Sequence, residues 1–479
     1  CEFFRAAGYG TDNLKLRGFR FFQLLPKNMF KFGPLSKEVI LLEIILPAFC
    51  IIFFGYLLLL SFANGFNGMS YDEAYWTYVG QHWLSGTHLP YLDVADNKPP
   101  AIHLLFGFSA HLVGPAEYLP RILGSLAIAL TGFLVYRIAT VLHNYKAGLI
   151  AFIMFALSIT WKDSGWRFTA QTESFVILCS TAAVYLLLKI IFDLNTVSRW
   201  RLLCIGAILG LGLLFKQTAI FGAIAVFVLL FIYSREKYVP SALWIASGIL
   251  GVVLSILLIP VIQGVPPELI LKHLFSAPVT DSILPEQSRL SMFKAFVRRS
   301  GRIILFLFGI AFLIQNRRSL KSQRLFIFLL IWVALEIFAL SVPGNYATYQ
   351  LRAMLPALAV TFGIGFMANW KGGLQAPFLL GSLVLSCQIH PEVINTVWDR
   401  NQSAKQIVAH DALPNDADRR QLGLWIKKNT SSDEIVYISG YSAQVQAYSK
   451  RQSPARNFSG NAEVEELRMN LTESQPDLL

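Results

Sequence analysis

The chain has 479 residues, of which 54% are hydrophobic types and 15% charged, with a mean hydropathy of +0.51. Soluble domains carry about 25% charged residues, so this composition describes a polytopic membrane protein and excludes an ordinary soluble enzyme, a disordered chain and a secreted disulfide scaffold. The formal charge of +12 is uneven: residues 1–390 hold 31 Lys and Arg against 17 Asp and Glu, whereas 391–479 hold 10 against 12, which predicts a membrane body followed by a separate soluble tail.

In chain order, the segment 1–38 carries seven Lys and Arg and reads as a basic cytoplasmic tail. A membrane-crossing helix needs about 20 mostly apolar residues. Eleven stretches qualify: 39–62, 119–141, 147–161, 172–188, 202–215, 217–233, 241–262, 302–315, 325–341, 352–368 and 374–390. The first lacks a small-residue cleavage site and reads as a retained anchor. The stretch 202–233 is long for one crossing and short for two, and Lys216 and Gln217 interrupt it. The turns on either side are both basic (Lys189, Arg199 and Arg201; Arg235 and Lys237). Basic turns belong on the cytoplasmic side, so the stretch crosses twice. Eleven crossings then put the N-terminus inside and the C-terminal segment outside. The whole transmembrane body spans 39–390 as a multi-pass protein of the plasma (inner) membrane.

Two predicted outer loops are long. Residues 63–118 are rich in aromatics and acids and hold two weakly amphipathic stretches, 73–84 and 100–113. Residues 263–301 contain Pro266, Pro267, Pro278 and Pro285. The segment 391–479 alternates a helix-like run (418–429), a strand-like run (434–439) and a turn at Gly440, which reads as a small extracytoplasmic α/β domain. The chain begins at Cys1, not Met, and reads as a fragment whose tail continues past Leu479. Cys50, Cys179, Cys204 and Cys387 lie in apolar runs, and no pair of cysteines has metal or disulfide spacing.

The first outer loop contains Tyr71-Asp72-Glu73-Ala74-Tyr75-Trp76 directly after the first crossing. Adjacent carboxylates at a membrane surface are costly unless solvated or used. They read as a general base for an acceptor hydroxyl, or as first-turn acids of a helix beginning near Ser70. Further on, Asp96-Asn97-Lys98-Pro99-Pro100 holds a cation beside a rigid Pro-Pro step. Lys98 suits a phosphate oxygen, or is a snorkelling lysine before a helix-starting proline. Glu173 heads the fourth crossing, where it orients an acceptor or caps the helix. Lys216 falls at the outer end of the 202–233 hairpin. Asp72, Glu73, Lys98, Glu173 and Lys216 thus converge on the outer face near membrane level. Carboxylates and cations together there suit a hydroxyl attacking a carbon bonded to phosphate. Asp93-Val94-Ala95-Asp96 and Asp416-Ala417-Asp418 read as solvated turn acids. His82, His88, His103 and His111 crowd one loop without metal-ligand spacing and read as interface histidines. Glu43 and Glu336 are single acids in apolar crossings and read as polar contacts between helices.

These motifs resemble those of the polyprenyl-phosphate-sugar-dependent glycosyltransferases of superfamily C (GT-C). The resemblance is to the protein-mannosyltransferase-like group that includes the lipid A aminoarabinose transferases. It rests on Asp72-Glu73-Ala74-Tyr75 with Gly86 and Lys98-Pro99-Pro100 at family-like spacing, on Arg121 within Leu119-Pro120-Arg121-Ile122-Leu123-Gly124, on Gly212-Leu213-Leu214-Phe215-Lys216, and on the tail run Tyr448–Arg456. It implies inverting transfer from a polyprenyl or dolichyl phosphate sugar, with a lipid, protein or polysaccharide acceptor. Asp72 matches the base. Lys98 and Lys216 match cations that hold the donor phosphate. Glu173 sits where many members have a second-loop acid, and Glu73 supports Asp72 or holds the loop. Arg121 and Arg352 are further candidates at the donor phosphate, each also readable as an interface anchor. The family's Lys step usually continues with Gly, where this chain has Gln217. The segment 342–352 lies where members line the donor pocket, but its residues match poorly. The implied scheme requires no metal cofactor and leaves a divalent cation open. No nucleic-acid partner is expected. The competing readings are a polytopic transporter and a non-catalytic envelope-assembly subunit.

Overall fold

The computed structural model describes residues 48–58, 68–113, 116–160, 170–192, 198–276, 290–294, 310, 313–314, 323–342, 346, 348–368, 415–438 and 443–454. The chain divides into two compact units, Cys1–Phe49 and Cys50–Leu479. Almost all the described residues belong to the second. The predicted crossing 374–390, most of 302–315, the basic tail 1–38, Glu43 and the turn Trp161–Arg167 lie outside the described residues.

Among the described residues the fold is helical, and β-structure is confined to isolated bridges such as Pro90–Val94 and Ile435–Gln452. In order come α1 (Ala48–Leu58), α2 (Tyr71–Leu84), α3 (Pro100–Leu112), α4 (Tyr118–Leu142), α5 (Tyr145–Ile159), α6 (Thr172–Phe192), α7 (Arg199–Phe215), α8 (Ile220–Tyr233), α9 (Tyr238–Ile262) and α10 (Pro267–Leu271). After these come α11 (Gln323–Ser341), a 3-10 turn (Thr348–Met354) leading into α12 (Leu355–Ala368), then α13 (Asn415–Asn429) and α14 (Ala443–Ser449). Among the described residues, five helical segments are long and apolar enough to cross a membrane: α4, α6, α9, α11 and Tyr349–Ala368. The predicted crossings between 119 and 262, and those at 325–341 and 352–368, each coincide with a helix to within a few residues. The doubtful hairpin is two helices. Lys216 is extended (φ −161°, ψ 135°) and a 3-10 turn, Gln217–Ala219, separates α7 from α8.

The crossings pack to different depths. Of its best apolar window, 83% of Tyr349–Ala368 is buried against 17% of α9, so the former is the centre of the bundle and the latter its rim. α12 packs on α5 and α4, and α9 packs on α7. The α7–α9 crossing is set by Gly206 and Gly248. A Cβ on Gly206 would meet the Ile245 carbonyl oxygen at 2.0 Å, and one on Gly248 the Leu203 carbonyl oxygen at 2.3 Å. Lipid supplies little hydrophobic drive between helices, so small residues that let backbones approach mark such contacts. Glu336 is buried in α11 and accepts from Trp332 Nε1 at 3.3 Å. The polar contact expected between helices therefore lies within its own helix, one turn back.

α2 and α3 are the two stretches that the sequence marks as weakly amphipathic. They cross at Gly80 and Gly107, where a Cβ on Gly80 would meet the His103 carbonyl oxygen at 2.0 Å. α2 is buried on every face from Glu73 to Trp83. Its weak amphipathicity thus has a physical reason: α3 covers one side, α14 another, and Ala74, Tyr75, Trp76 and Tyr78 share one apolar cluster with Ile102, Phe106, Phe175, Ala443 and Ala447. α13 and α14 pack on each other around Ile426, Val436 and Val445. The Arg451 guanidinium ties the end of α13, donating to the carbonyl oxygens of Lys427 (2.9 Å) and Thr430 (2.7 Å). In the strand-like run Ile435 bridges to Gln452.

Candidate active site

The site begins with a helix cap. Ser70 precedes α2 and its hydroxyl accepts from the Glu73 N–H at 3.3 Å, while Glu73 Oε2 accepts from the Ser70 N–H at 2.9 Å. This is a reciprocal capping box, and it realises the first-turn reading for Glu73. The Glu73 carboxylate also takes two bonds from Arg121, Nε to Oε1 at 2.8 Å and Nη2 to Oε2 at 2.6 Å, and one from the Ala170 N–H at 3.0 Å. Arg121 Nη2 further donates to the Gly68 carbonyl oxygen at 2.8 Å. Burial alone would raise the Glu73 pKa; the Arg121 charge and these donors hold it below the usual carboxylate range. Glu73 and Arg121 are therefore joined to each other.

Asp72 lies one residue away, about 100° round the helix, and meets a different environment. It is partly buried, takes a hydrogen bond from the Gln171 side chain, and lies within electrostatic reach of Lys98, Glu173 and Asp96. Its pKa is pushed up to about 6, first by removal from water, with Glu173 and Asp96 adding and Lys98 and Gln171 opposing.

Lys98 stands on the loop before α3, where Pro99 caps the helix and Pro100 is its first residue. The loop is held from several sides. The Lys98 N–H donates to Asp96 Oδ1 at 3.2 Å and the Tyr91 hydroxyl donates to the Lys98 carbonyl oxygen at 2.7 Å. Lys98 Nζ donates to Asn97 Oδ1, and the Tyr75 hydroxyl to the Ala95 carbonyl oxygen. Tyr91 adopts a left-handed backbone (φ 71°), a conformation that costs a non-glycine residue about 1–3 kcal/mol and clusters at functional sites.

Glu173 and Lys216 form an ion pair across α6 and the α7–α8 turn, and the Thr172 hydroxyl donates to Glu173 Oε2 at 3.1 Å. Arg352, from the 3-10 turn, is buried, donates to the Ser174 hydroxyl at 2.9 Å and lies within reach of Glu173. The structure thus gathers Asp72, Lys98, Glu173, Lys216 and Arg352 into one neighbourhood and sets Glu73 with Arg121 beside it as a closed pair. Such a neighbourhood can accept a proton at one carboxylate and hold an anion at several cations.

Two readings of the loop are corrected. Asp96 is not a solvated turn acid: it is largely buried and bonds His103 Nε2 at 2.6 Å. Burial raises its pKa, and His103 with Lys98 more than offsets this, leaving it below the usual range. Asp93 does act as a turn acid, accepting from the Leu89 N–H at 2.6 Å. Two of the four histidines are not surface residues, whereas His111 is exposed and His88 half-buried. His103 and His82 are buried, and burial pushes the His82 pKa down to about 3. Among the described residues, no group of three or more His, Cys, Asp and Glu is placed to hold a metal.

Sequence reasoning missed several neighbours of Asp72. Tyr349 interacts electrostatically with Asp72, Glu173 and Arg352, yet sits in a segment without a recognisable motif. Gln217, the departure from the expected Gly, donates through Nε2 to the carbonyl oxygens of Asn97 (2.6 Å) and Leu274 (3.0 Å). It ties the Lys98 loop to the Lys216 turn. Only the seven-residue spacing of Asp96 and His103 offered a local signal.

A family model described as dolichyl-phosphate-mannose-protein mannosyltransferase matches residues 97–262. No curated protein matches the chain. Among solved structures, the chain is similar to ArnT from Cupriavidus metallidurans bound to undecaprenyl phosphate, with a TM-score of 0.61 and 13% identity over 89% of this chain and 88% of that one. It is also similar to the Archaeoglobus fulgidus oligosaccharyltransferase in complex with Zn and sulfate, at a TM-score of 0.53 and 15% identity over 85% of this chain and 62% of that one. The archaeal oligosaccharyltransferase AglB from Archaeoglobus fulgidus, in complex with an inhibitory peptide and a dolichol-phosphate, gives 0.52 and 11% identity over 89% and 68%. The helical polytopic fold is thus the one these membrane proteins share, and the resemblance to superfamily C read from the motifs is borne out.

Proposed function

We propose that the protein is a membrane glycosyltransferase that moves a sugar from a polyprenyl (or dolichyl) phosphate to an acceptor hydroxyl or phosphate, with inversion at the anomeric carbon. The observation that carries this reading is Asp72. It is a carboxylate withdrawn from water, with no arginine ion pair among the described residues, and it lies within electrostatic reach of Lys98 and of Glu173, which pairs with Lys216. The match over residues 97–262 and the undecaprenyl phosphate and dolichol-phosphate bound in the similar structures support a lipid-phosphate donor.

In the proposed displacement the acceptor oxygen bonds to the anomeric carbon as that carbon's bond to the phosphate oxygen breaks. Asp72 takes the acceptor's proton, and a base with a pKa near the working pH is suited to this. Polyprenyl phosphate leaves with the bonding electrons. Lys98, Lys216 and Arg352 stabilise its charge, an effect strengthened where water is excluded. Glu173 holds Lys216 in place. Glu73 and Arg121 anchor the first turn of α2 and do not touch the donor. A single displacement forms no covalent sugar–enzyme intermediate, as in inverting glycosidases, and because the departing phosphate needs no general acid one carboxylate, the base, suffices here. The site and the segment 391–479 face outward from a plasma membrane, with the N-terminus in the cytoplasm, and the acceptor is a lipid, a protein or a polysaccharide. No step is assigned to a metal.

Wild type and Asp72→Asn would be reconstituted with a panel of labelled polyprenyl-phosphate sugars and an extract of host envelope. Free polyprenyl phosphate released by wild type alone is the expected result, and the productive donor names the sugar. No release from any donor by folded wild-type protein would sink the proposal.

A further inference from the structure

The reaction proposed above makes no use of the C-terminal segment, yet that segment is bonded to the helix that carries Asp72. Tyr448, in α14, accepts through its hydroxyl oxygen from the Met69 N–H at 2.9 Å. The same hydroxyl donates to Glu117 Oε1 at 3.3 Å. Met69 immediately precedes the Ser70 cap of α2, so this bond fixes the chain three residues before Asp72. Glu117 precedes α4, and its second oxygen is buried without a hydrogen-bond partner among the described residues. One phenol therefore joins the start of α2, the start of α4 and the C-terminal segment.

The ring is itself held. The Arg420 guanidinium lies over it, 5.7 Å from the centroid. Gly423 backs it so closely that a Cβ there would meet the Tyr448 Cβ at 2.7 Å. Burial pushes the phenol pKa above its ordinary value, so the hydroxyl keeps its proton and can accept and donate at once. Two more bonds run along α2. The Ser453 N–H donates to the Tyr78 hydroxyl at 2.8 Å, and Gln81 Nε2 donates to the Ala447 carbonyl oxygen at 3.4 Å. Ala443 and Ala447 close against Ala74 and Tyr78 in one apolar cluster. The segment thus grips α2 before its cap, at its middle and near its end.

We infer that Tyr448 is a positioning residue: it holds the start of α2, and with it Asp72, at the separation from Lys98 and Glu173 that the displacement requires. The C-terminal segment is by this inference a working part of the site. The catalytic half of the inference rests on the proposed glycosyl transfer. The geometric half stands without it. Displacement of a reacting group by about 1 Å costs on the order of 10²-fold in rate, so a bond anchoring the backbone beside the base has kinetic consequences.

The test is Tyr448→Phe, which keeps the ring and removes the hydroxyl, in the full chain reconstituted in vesicles. Amide hydrogen exchange at residues 69–72 is expected to accelerate. The kcat for polyprenyl phosphate release is expected to fall about tenfold while the donor KM stays within about twofold. Glu117→Gln, which retains an oxygen to accept from the phenol, is expected to keep kcat within about threefold of wild type. Unchanged exchange at 69–72 would overturn the inference. So would accelerated exchange with a wild-type kcat, or a fall in kcat matched by an equal fall in folded protein. A wild-type protein that releases no polyprenyl phosphate fails the reaction reading, whereas the exchange result still decides whether Tyr448 fixes α2.

Discussion

Asp72 and Glu73 are neighbours in sequence with the same chemistry, and the protein treats them oppositely. Glu73 is closed: its two oxygens receive Arg121 twice, the Ser70 N–H and the Ala170 N–H, and its pKa falls. Asp72 is open: among the described residues a glutamine is its hydrogen-bonding side chain, other carboxylates lie near it, and its pKa rises. A carboxylate saturated with donors at low pKa is a poor proton acceptor and a good anchor. One held near neutrality with spare lone pairs is the reverse. Within a single helical turn, structural and chemical duties are divided by direction alone.

The contrast can be broken in order of expected effect. Asp72→Asn should cut transfer by about 10²–10⁴-fold, the usual contribution of a general base, while the protein unfolds in detergent at the wild-type temperature. A variant that keeps its rate would remove Asp72 from the chemistry. Glu73→Gln should do the opposite. It leaves the buried Arg121 charge uncompensated, at a cost of about 3–5 kcal/mol, seen as a lower unfolding temperature and less monodisperse protein. An undiminished unfolding temperature would dissolve the distinction between the two acids. Lys98→Met should slow transfer by about 10²–10³-fold and leave folding intact. Loss of folding instead would assign Lys98 to the loop and not to the donor.

The smallest effect is on pH dependence, and it sharpens the comparison most. Only the ionised Asp72 accepts a proton, and its pKa lies at about 6, not at the ordinary 3.8. The kcat/KM should therefore rise with pH, with an acid-limb midpoint near 6, and at pH 5 stand about tenfold below its plateau. An acid limb near 4 would mean that the working carboxylate resembles an unperturbed one.

Much of this was legible in the residues. Hydropathy located the described crossings, and the basic turns on either side of 202–233 gave the split at Lys216, because both belong on the same side of the membrane. Ser70 before Asp72 and Glu73 announced a helix start, and Pro100 did the same for α3. Asp72, Lys98, Glu173 and Lys216 were named from motifs, and the match over 97–262 spans the last three of these. Less legible was the alliance of each. Arg121 was expected at the donor phosphate and instead meets Glu73, 48 residues away. Asp96 looked solvated because its loop is polar, but α3 turns His103 back onto it. Gln217 looked like a defect in a motif and proves to be a tie between two loops.

The sequence by itself determined a membrane-embedded helical body, the positions of its described helices, and which titratable residues lie in the turns and short helices between the crossings. These follow from apolar runs and caps, which are sums over neighbours along the chain. Only the tertiary structure decided that Glu73 is spent on Arg121 while Asp72 stays available, that Tyr349 and Arg352 join Glu173, and that Tyr448 reaches Met69 across 379 residues. Adjacent residues on a helix point about 100° apart, so what each one meets depends on which helices pack around it. Packing of that kind is fixed by close backbone approaches such as Gly80 on Gly107, and these exist only once the helices are assembled.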